Sequence, residues 1–220
     1  HTAYRRQRQM CIRDRDYKVL PYSWAASTPL SNFEANMDYR DVEDPSIYFT
    51  LDARDNYKKI IKGDKFLVWT TTPWCIPGNL AIAVGKEIEY SRISIKNNFY
   101  WIATERLFEM KDYEIKIVDV SYGEDLIGAT YIPAYNEYEH LFKDGAFRII
   151  HSEDTNTESG SGLVSQAPAY GESDFYALKN ANIDVIADPV TLSGRFDSTF
   201  KELNGLNVKD ADKLIMDQLE

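Results

Sequence analysis

The stretch Phe66-Leu67-Val68-Trp69-Thr70-Thr71-Thr72-Pro73-Trp74-Cys75-Ile76-Pro77-Gly78-Asn79 constrains the fold more than any other part of the chain. Its first residues form an apolar run of a length and composition that suit a buried strand. Three consecutive threonines follow, and in a continuing strand their small hydroxyl-bearing side chains would alternate between its faces. Pro73 and Pro77 bar a regular continuation, and Gly78-Asn79 is turn chemistry. By composition alone this is a strand end entering a loop.

The same punctuation recurs along the chain. Tyr22-Ser23-Trp24 and residues 47–51, 80–84, 90–95, 99–103, 114–120, 147–151 and 163–168 each read as short strands. Asp44-Pro45-Ser46 turns the chain before the second of these, and Asn97-Asn98 suits a hairpin turn. Residues 183–186 and 194–196 read as strands rimmed by loops. Helical patterns are fewer: a short polar one at 54–62 closed by Gly63, one at 104–111 capped by Thr104, and one at 172–182 following a turn at Gly171. The last, over 208–219, sets Ala211, Leu214, Ile215 and Leu219 at helical spacing, with Asp210 and Asp212 near its start. Fifteen tyrosines, ten phenylalanines and four tryptophans favour strands. The expected fold class is therefore β-rich, mixed α/β, with a β-barrel-like core and peripheral helices.

With 220 residues, 44% of them apolar, the chain can bury a real core as one domain. No apolar run approaches the ~20 residues that a membrane-spanning helix needs, so no membrane partner is expected. A net charge of −10 argues against a free-standing nucleic-acid binder, although a local basic groove on an acidic body stays possible. Cys11 and Cys75 make neither a disulfide framework nor a metal spacing, which points to a reducing, cytoplasmic compartment. His1, His140 and His151 are too scattered for a metal site, and none is expected. Residues 1–15 carry five arginines against one aspartate, while the other 205 residues carry 34 acids against 20 bases. That leader lacks an apolar signal core and resembles translated adapter sequence, so it is expected to be non-native or disordered. The domain proper is then 16–220, a piece of a longer protein.

Few residues declare a chemistry by themselves. Gly-x-Ser-x-Gly is absent, Gly160 and Gly162 lack the Lys-Ser/Thr of a phosphate loop, and no nucleophile–base pair stands out. Asp174, in the first turn of a helix, is by position a dipole-compensating carboxylate. Taken together, however, the motifs fall in one order. Thr28-Pro29-Leu30-Ser31-Asn32-Phe33-Glu34, then Trp69-Thr70-Thr71-Thr72-Pro73-Trp74 with Pro77-Gly78-Asn79, then Gly160-Ser161-Gly162-Leu163-Val164, Ala167-Pro168, Gly171 and Asp174-Phe175 resemble the editing insertion, connective polypeptide 1, of the isoleucyl-tRNA synthetases. Pro189-Val190, Gly194-Arg195-Phe196 and Val208-Lys209-Asp210-Ala211-Asp212 are similar to the segment that leads back to the catalytic core of that class I family. The resemblance spans about residues 17–220.

What the resemblance implies is hydrolysis of valine wrongly esterified to tRNA(Ile). One methylene in an apolar pocket is worth only about 1–3 kcal/mol, a general figure for which isoleucine-against-valine selection by this synthetase family is itself the standard example. A second, smaller pocket must then destroy what the first admits. By position, Thr70, Thr71 and Thr72 would line the pocket and hold ester and water, Trp69 and Gly162 would contribute to substrate binding, and Asn79 would help position the terminal adenosine. Asp174 would pair with the α-ammonium, and the nucleophile would be a positioned water. Two positions depart from the family's pattern. Ser165 stands where the family usually has histidine, and Cys75 where it usually has threonine. A hydroxyl cannot shuttle a proton near pH 7 as imidazole can, so Ser165 leaves open an alternative: an insertion with impaired hydrolysis, acting as a tRNA 3′-end binding and structural module. The His-Ile-Gly-His and Lys-Met-Ser-Lys-Ser signatures are absent, so ATP and Mg would belong to the parent's catalytic domain, with no cofactor in this piece. The implied partners are the tRNA(Ile) 3′ end carrying misplaced valine and the remainder of the synthetase chain.

Overall fold

The structure, a computed structural model, describes residues 18–37 and 44–219; the leader expected at 1–15 lies outside the described residues. Two short strands, β1 (Tyr22–Ser23) and β2 (Thr28–Pro29), form a separate hairpin followed by one helical turn, α1 (Asn32–Ala35). Ser31 and Glu34 close a reciprocal capping box at its start, which satisfies two end N–H groups.

The body is an eight-stranded mixed sheet, curled into a half-barrel. Its strands are β3 (Ile47–Asp52), β4 (Lys65–Thr70), β5 (Ala81–Val84), β6 (Glu89–Ile95), β7 (Asn98–Ala103), β8 (Lys116–Tyr122), β9 (Arg148–His151) and β10 (Val164–Gln166). β4 is the hub. β3 pairs antiparallel along one of its edges, and its other edge is divided between β7, at Lys65 and Phe66, and β10, at Trp69. β10 pairs parallel with β4 and antiparallel with β5, and β5 continues to β9. A partner change midway along one strand makes the sheet splay and curl.

Burial explains why β4 and β5 read as unbroken apolar runs. Phe66 and Val68 enter the main core with Leu80, Ile82, Tyr90, Trp101 and Ile149, whereas Leu67 joins a smaller cluster with Ile93, Ile95 and Ile102 on the opposite face. Both faces are covered, so alternation disappears. The remaining helices lie outside the sheet: α2 (Gly123–Leu126), α3 (Glu172–Asn180) and α4 (Val208–Leu219), the last packed on a 3₁₀ turn at Pro73–Gly78.

Four local expectations need correction. Residues 54–62 are not a helix. Tyr57 and Ile60 exchange backbone hydrogen bonds across a tight turn with Lys58 at φ 48°, and the Tyr57 hydroxyl donates to the Ile127 carbonyl. Anchoring these two apolar residues outweighs weak helix propensity. Gly63 does take positive φ, but at the base of this hairpin. The β6–β7 turn falls on Lys96-Asn97, both at positive φ, so Asn98 already belongs to β7. At Thr104–Met110 the helix is 3₁₀, and Thr104 does not cap it, because its hydroxyl bonds Ser91 at 2.8 Å. Residues 183–186 and 194–196 form no ladder strands; Val190–Phe196 and Arg195–Asn207 are single bridges.

Candidate active site

The parallel pairing of β4 and β10 fixes where a site can form. Both strands end on the same rim, so the threonines that follow β4 and the loop that follows β10 must meet there. They enclose a cleft of about 250 Å³ lined by Trp69, Thr70, Thr71, Thr72, Trp74, Cys75, Val164, Ser165, Ala167, Tyr170, Gly171 and Asp174.

The threonines do not alternate in the way a strand would require. Only Thr70 belongs to β4; the chain bends at Thr71, and Pro73 then opens the 3₁₀ turn. The bend brings all three to one cleft. The Thr70 hydroxyl, nearly buried, accepts the Thr72 N–H at 3.2 Å and lies 3.4 Å from the Thr72 hydroxyl. This local ring holds the bend shut.

Across the cleft Asp174 sits in the first turn of α3. Its Oδ2 accepts the Ala167 N–H at 2.8 Å, and Oδ1 accepts from the Ser173 hydroxyl at 3.3 Å. Burial raises its pKa above the ordinary carboxylate range despite these bonds. No basic side chain pairs with Asp174 among the described residues. A half-buried carboxylate of this kind can pair with a cation that enters the cleft. Cys75, by contrast, is not a nucleophile in waiting: burial pushes its thiol up to about 12, so the thiolate is scarce at neutral pH.

Trp69, Thr70, Thr71, Thr72, Ser165 and Asp174 thus share one cleft. Asn79 and Gly162 stand behind it. The Asn79 side chain is buried, donating to the Ala81 carbonyl and to Ser165 Oγ while accepting from the Tyr131 hydroxyl, so its bonding capacity is turned inward. Gly162 takes φ 78° where a Cβ would meet Ala103 at 2.5 Å, and its carbonyl accepts from Tyr90.

Other supports escape a reading of the sequence. Asp212 of α4 accepts the Trp74 N–H at 2.8 Å from 138 residues away, tying the 3₁₀ turn to the terminal helix. Arg106 is buried and donates to the carbonyls of Gly160, Thr157 and Glu158. It thereby presses Gly160, at φ 69°, against the Trp69 indole, where an added Cβ would stand 2.5 Å from the ring. Trp74 packs on Tyr170 with ring centroids 4.8 Å apart. Nothing local in sequence signals these long-range ties.

No family model matches the chain. Among solved structures it is similar to the crystal structure of GlLeuRS-CP1, with a TM-score of 0.58 at 15% identity over 80% of this chain and 95% of that one. It is likewise similar to the P. knowlesi cytosolic leucyl-tRNA synthetase editing domain, with a TM-score of 0.57 at 10% identity over 82% and 96%. The fold is that of the CP1 editing domains of aminoacyl-tRNA synthetases. Among curated sequences the chain is 41% identical over 207 residues to the isoleucine–tRNA ligase of Protochlamydia amoebophila and 38% identical over 215 residues to the cytoplasmic one of Saccharomyces cerevisiae. These alignments cover 92% and 93% of the chain but only 19% and 20% of the relatives. The chain belongs to the isoleucine–tRNA ligase family, as its editing-domain region.

Proposed function

We propose that this domain is the editing hydrolase of an isoleucine–tRNA ligase, cleaving valine from mischarged tRNA(Ile). The observation that carries the reading is the placing of a carboxylate that no basic side chain among the described residues pairs with, Asp174, opposite three threonines in a cleft of about 250 Å³. An aminoacyl ester offers an α-ammonium and a short side chain, the two groups that such a cleft complements. Asp174 fixes the ammonium, and the threonine wall limits side-chain size. A water held among the threonine hydroxyls attacks the ester carbonyl, and the ribose oxygen departs with a proton. The protein's contribution is orientation and hydrogen bonding.

Domain limits of 16–220, the remainder of the synthetase as intramolecular partner, a cytoplasmic setting and the absence of any cofactor in this part belong to the same proposal. Among the described residues no helix is long and apolar enough to cross a membrane. Ser165 favours a second reading, a tRNA-end binding module with impaired hydrolysis, because it has no group that takes up a proton near neutrality. Deacylation of valyl-tRNA(Ile) separates the two. Hydrolysis by the chain, lost in Asp174→Ala with the far-ultraviolet spectrum unchanged, supports the hydrolase; binding without hydrolysis supports the module.

A further inference from the structure

Behind the cleft lies a chain of hydrogen bonds that ends at Ser165. Tyr131 is fully buried, and its hydroxyl donates to Asn79 Oδ1 at 2.6 Å. Asn79 Nδ2 in turn donates to the Ala81 carbonyl at 2.8 Å and to Ser165 Oγ at 2.9 Å. The amide cannot be reversed. Carbonyl oxygens of Ala81 and, at 3.4 Å, Gln166 surround Nδ2, and neither has a hydrogen to give to an amide oxygen. With Nδ2 fixed on that side, Oδ1 must face Tyr131, whose hydroxyl has to be the donor. The polarity of the whole series follows from two backbone carbonyls.

The consequence falls on Ser165. Its Oγ already accepts the Asn79 N–H, and among the described residues no acceptor takes its own hydrogen. Ser165 lines the cleft and Asn79 does not. We infer that Tyr131 and Asn79 are positioning residues that commit Ser165 to act as a hydrogen-bond donor into the cleft, toward an oxygen of the aminoacyl ester or its ribose. This rests on the proposed function for the identity of the ligand. It assigns to Ser165 a task that an alcohol can perform without a pKa near 7: stabilising negative charge on an ester or leaving oxygen. The reading also accounts for a buried tyrosine hydroxyl and a buried amide placed where apolar residues would fill the same space, since polar groups so placed must be bonded in series or left costly.

The test is a double-mutant cycle on valyl-tRNA(Ile) deacylation. Tyr131→Phe is isosteric and should lower kcat by about threefold to tenfold, with KM within about twofold, because a bond made through Ser165 is lost mainly in the transition state. The same substitution in a Ser165→Ala background should change nothing further. An equal fall in both backgrounds would overturn the inference and mark Tyr131 as structural. Should Tyr131→Phe fail to fold, Asn79→Ala is carried through the same cycle with the same two outcomes. Should the parent chain hydrolyse no aminoacyl ester, the proposed function fails, and the relay is read by binding instead. The probe is adenosine carrying the phosphonate analogue of valine on its 3′ oxygen, a mimic of the tetrahedral intermediate, and Tyr131→Phe should weaken it in the parent but not in the Ser165→Ala chain. Equal affinities throughout would overturn the relay.

Discussion

At Asp174 two demands conflict. The free domain holds a carboxylate that burial makes costly to ionise, and the proposed reaction needs it ionised. Because its folded pKa is raised, the native state binds more protons than the unfolded chain between the ordinary and the raised value. Stability therefore falls as pH rises through that window. Asp174→Asn should remove the penalty while still accepting the Ala167 N–H. We expect its unfolding midpoint at pH 7 to rise, with deacylation abolished. The gain should vanish as pH falls through the raised pKa, and thermal unfolding across a pH series checks it. The acid limb of deacylation should likewise lie at higher pH than an exposed aspartate would give. The same residue shows how far sequence reaches. Its position predicts a dipole-compensating carboxylate, and its first-turn place is correct, but that no basic side chain among the described residues pairs with it is visible only once the fold is built. Ser165 is singled out by the sequence reading, whereas its bond to Asn79 is not, because those residues lie 86 positions apart. Introducing imidazole by Ser165→His should raise the hydrolytic rate if proton transfer limits it, and an unchanged rate would fit a donor role for the hydroxyl.

Elements carry the site through ties that local pattern cannot show. The sequence of β4 predicts a buried strand, and the structure places it there; where the threonines point depends on a bend whose cause is Pro73 and whose lock is the Thr70 hydroxyl. The 3₁₀ turn is held by Asp212, which sequence assigns only to the start of a helix. Asp212→Ala should cost about 1–3 kcal/mol by leaving the Trp74 N–H without its acceptor, whereas Asp212→Asn, which keeps an acceptor oxygen, should cost much less. Chemical denaturation of the two variants distinguishes them. Gly160→Ala is the complementary probe of the opposite wall. It forces a Cβ into the Trp69 ring at a backbone angle that L-residues rarely adopt, so it should displace the indole and quench deacylation more than it lowers stability. Intrinsic fluorescence reports the displacement. The expected helix at 54–62 failed for the converse reason: polar composition fitted a helix, while Tyr57 and Ile60 are held by the core.

Across the whole molecule, strand content and the sites of most turns were legible because several of the short apolar runs are bounded by Gly, Pro or Asn. Strand order was not, since the division of one β4 edge between β7 and β10 is a property of pairings far apart in sequence. Nor was the buried ion pair of Arg92 and Asp64, joined by two bonds of 2.7 and 2.8 Å and by the Trp101 indole N–H, which fastens the 54–64 hairpin to β6. Asp64→Ala would strand the guanidinium and should cost about 3–5 kcal/mol, measured by denaturant unfolding. The account as a whole is tested most directly by hydrolysis rates of tRNA(Ile) charged with valine and with isoleucine, each presented to the same domain. It predicts that the valyl ester is cleaved faster and that the preference disappears with Asp174→Ala because both rates collapse. Equal cleavage of the two esters, or a rate indifferent to Asp174, would contradict it.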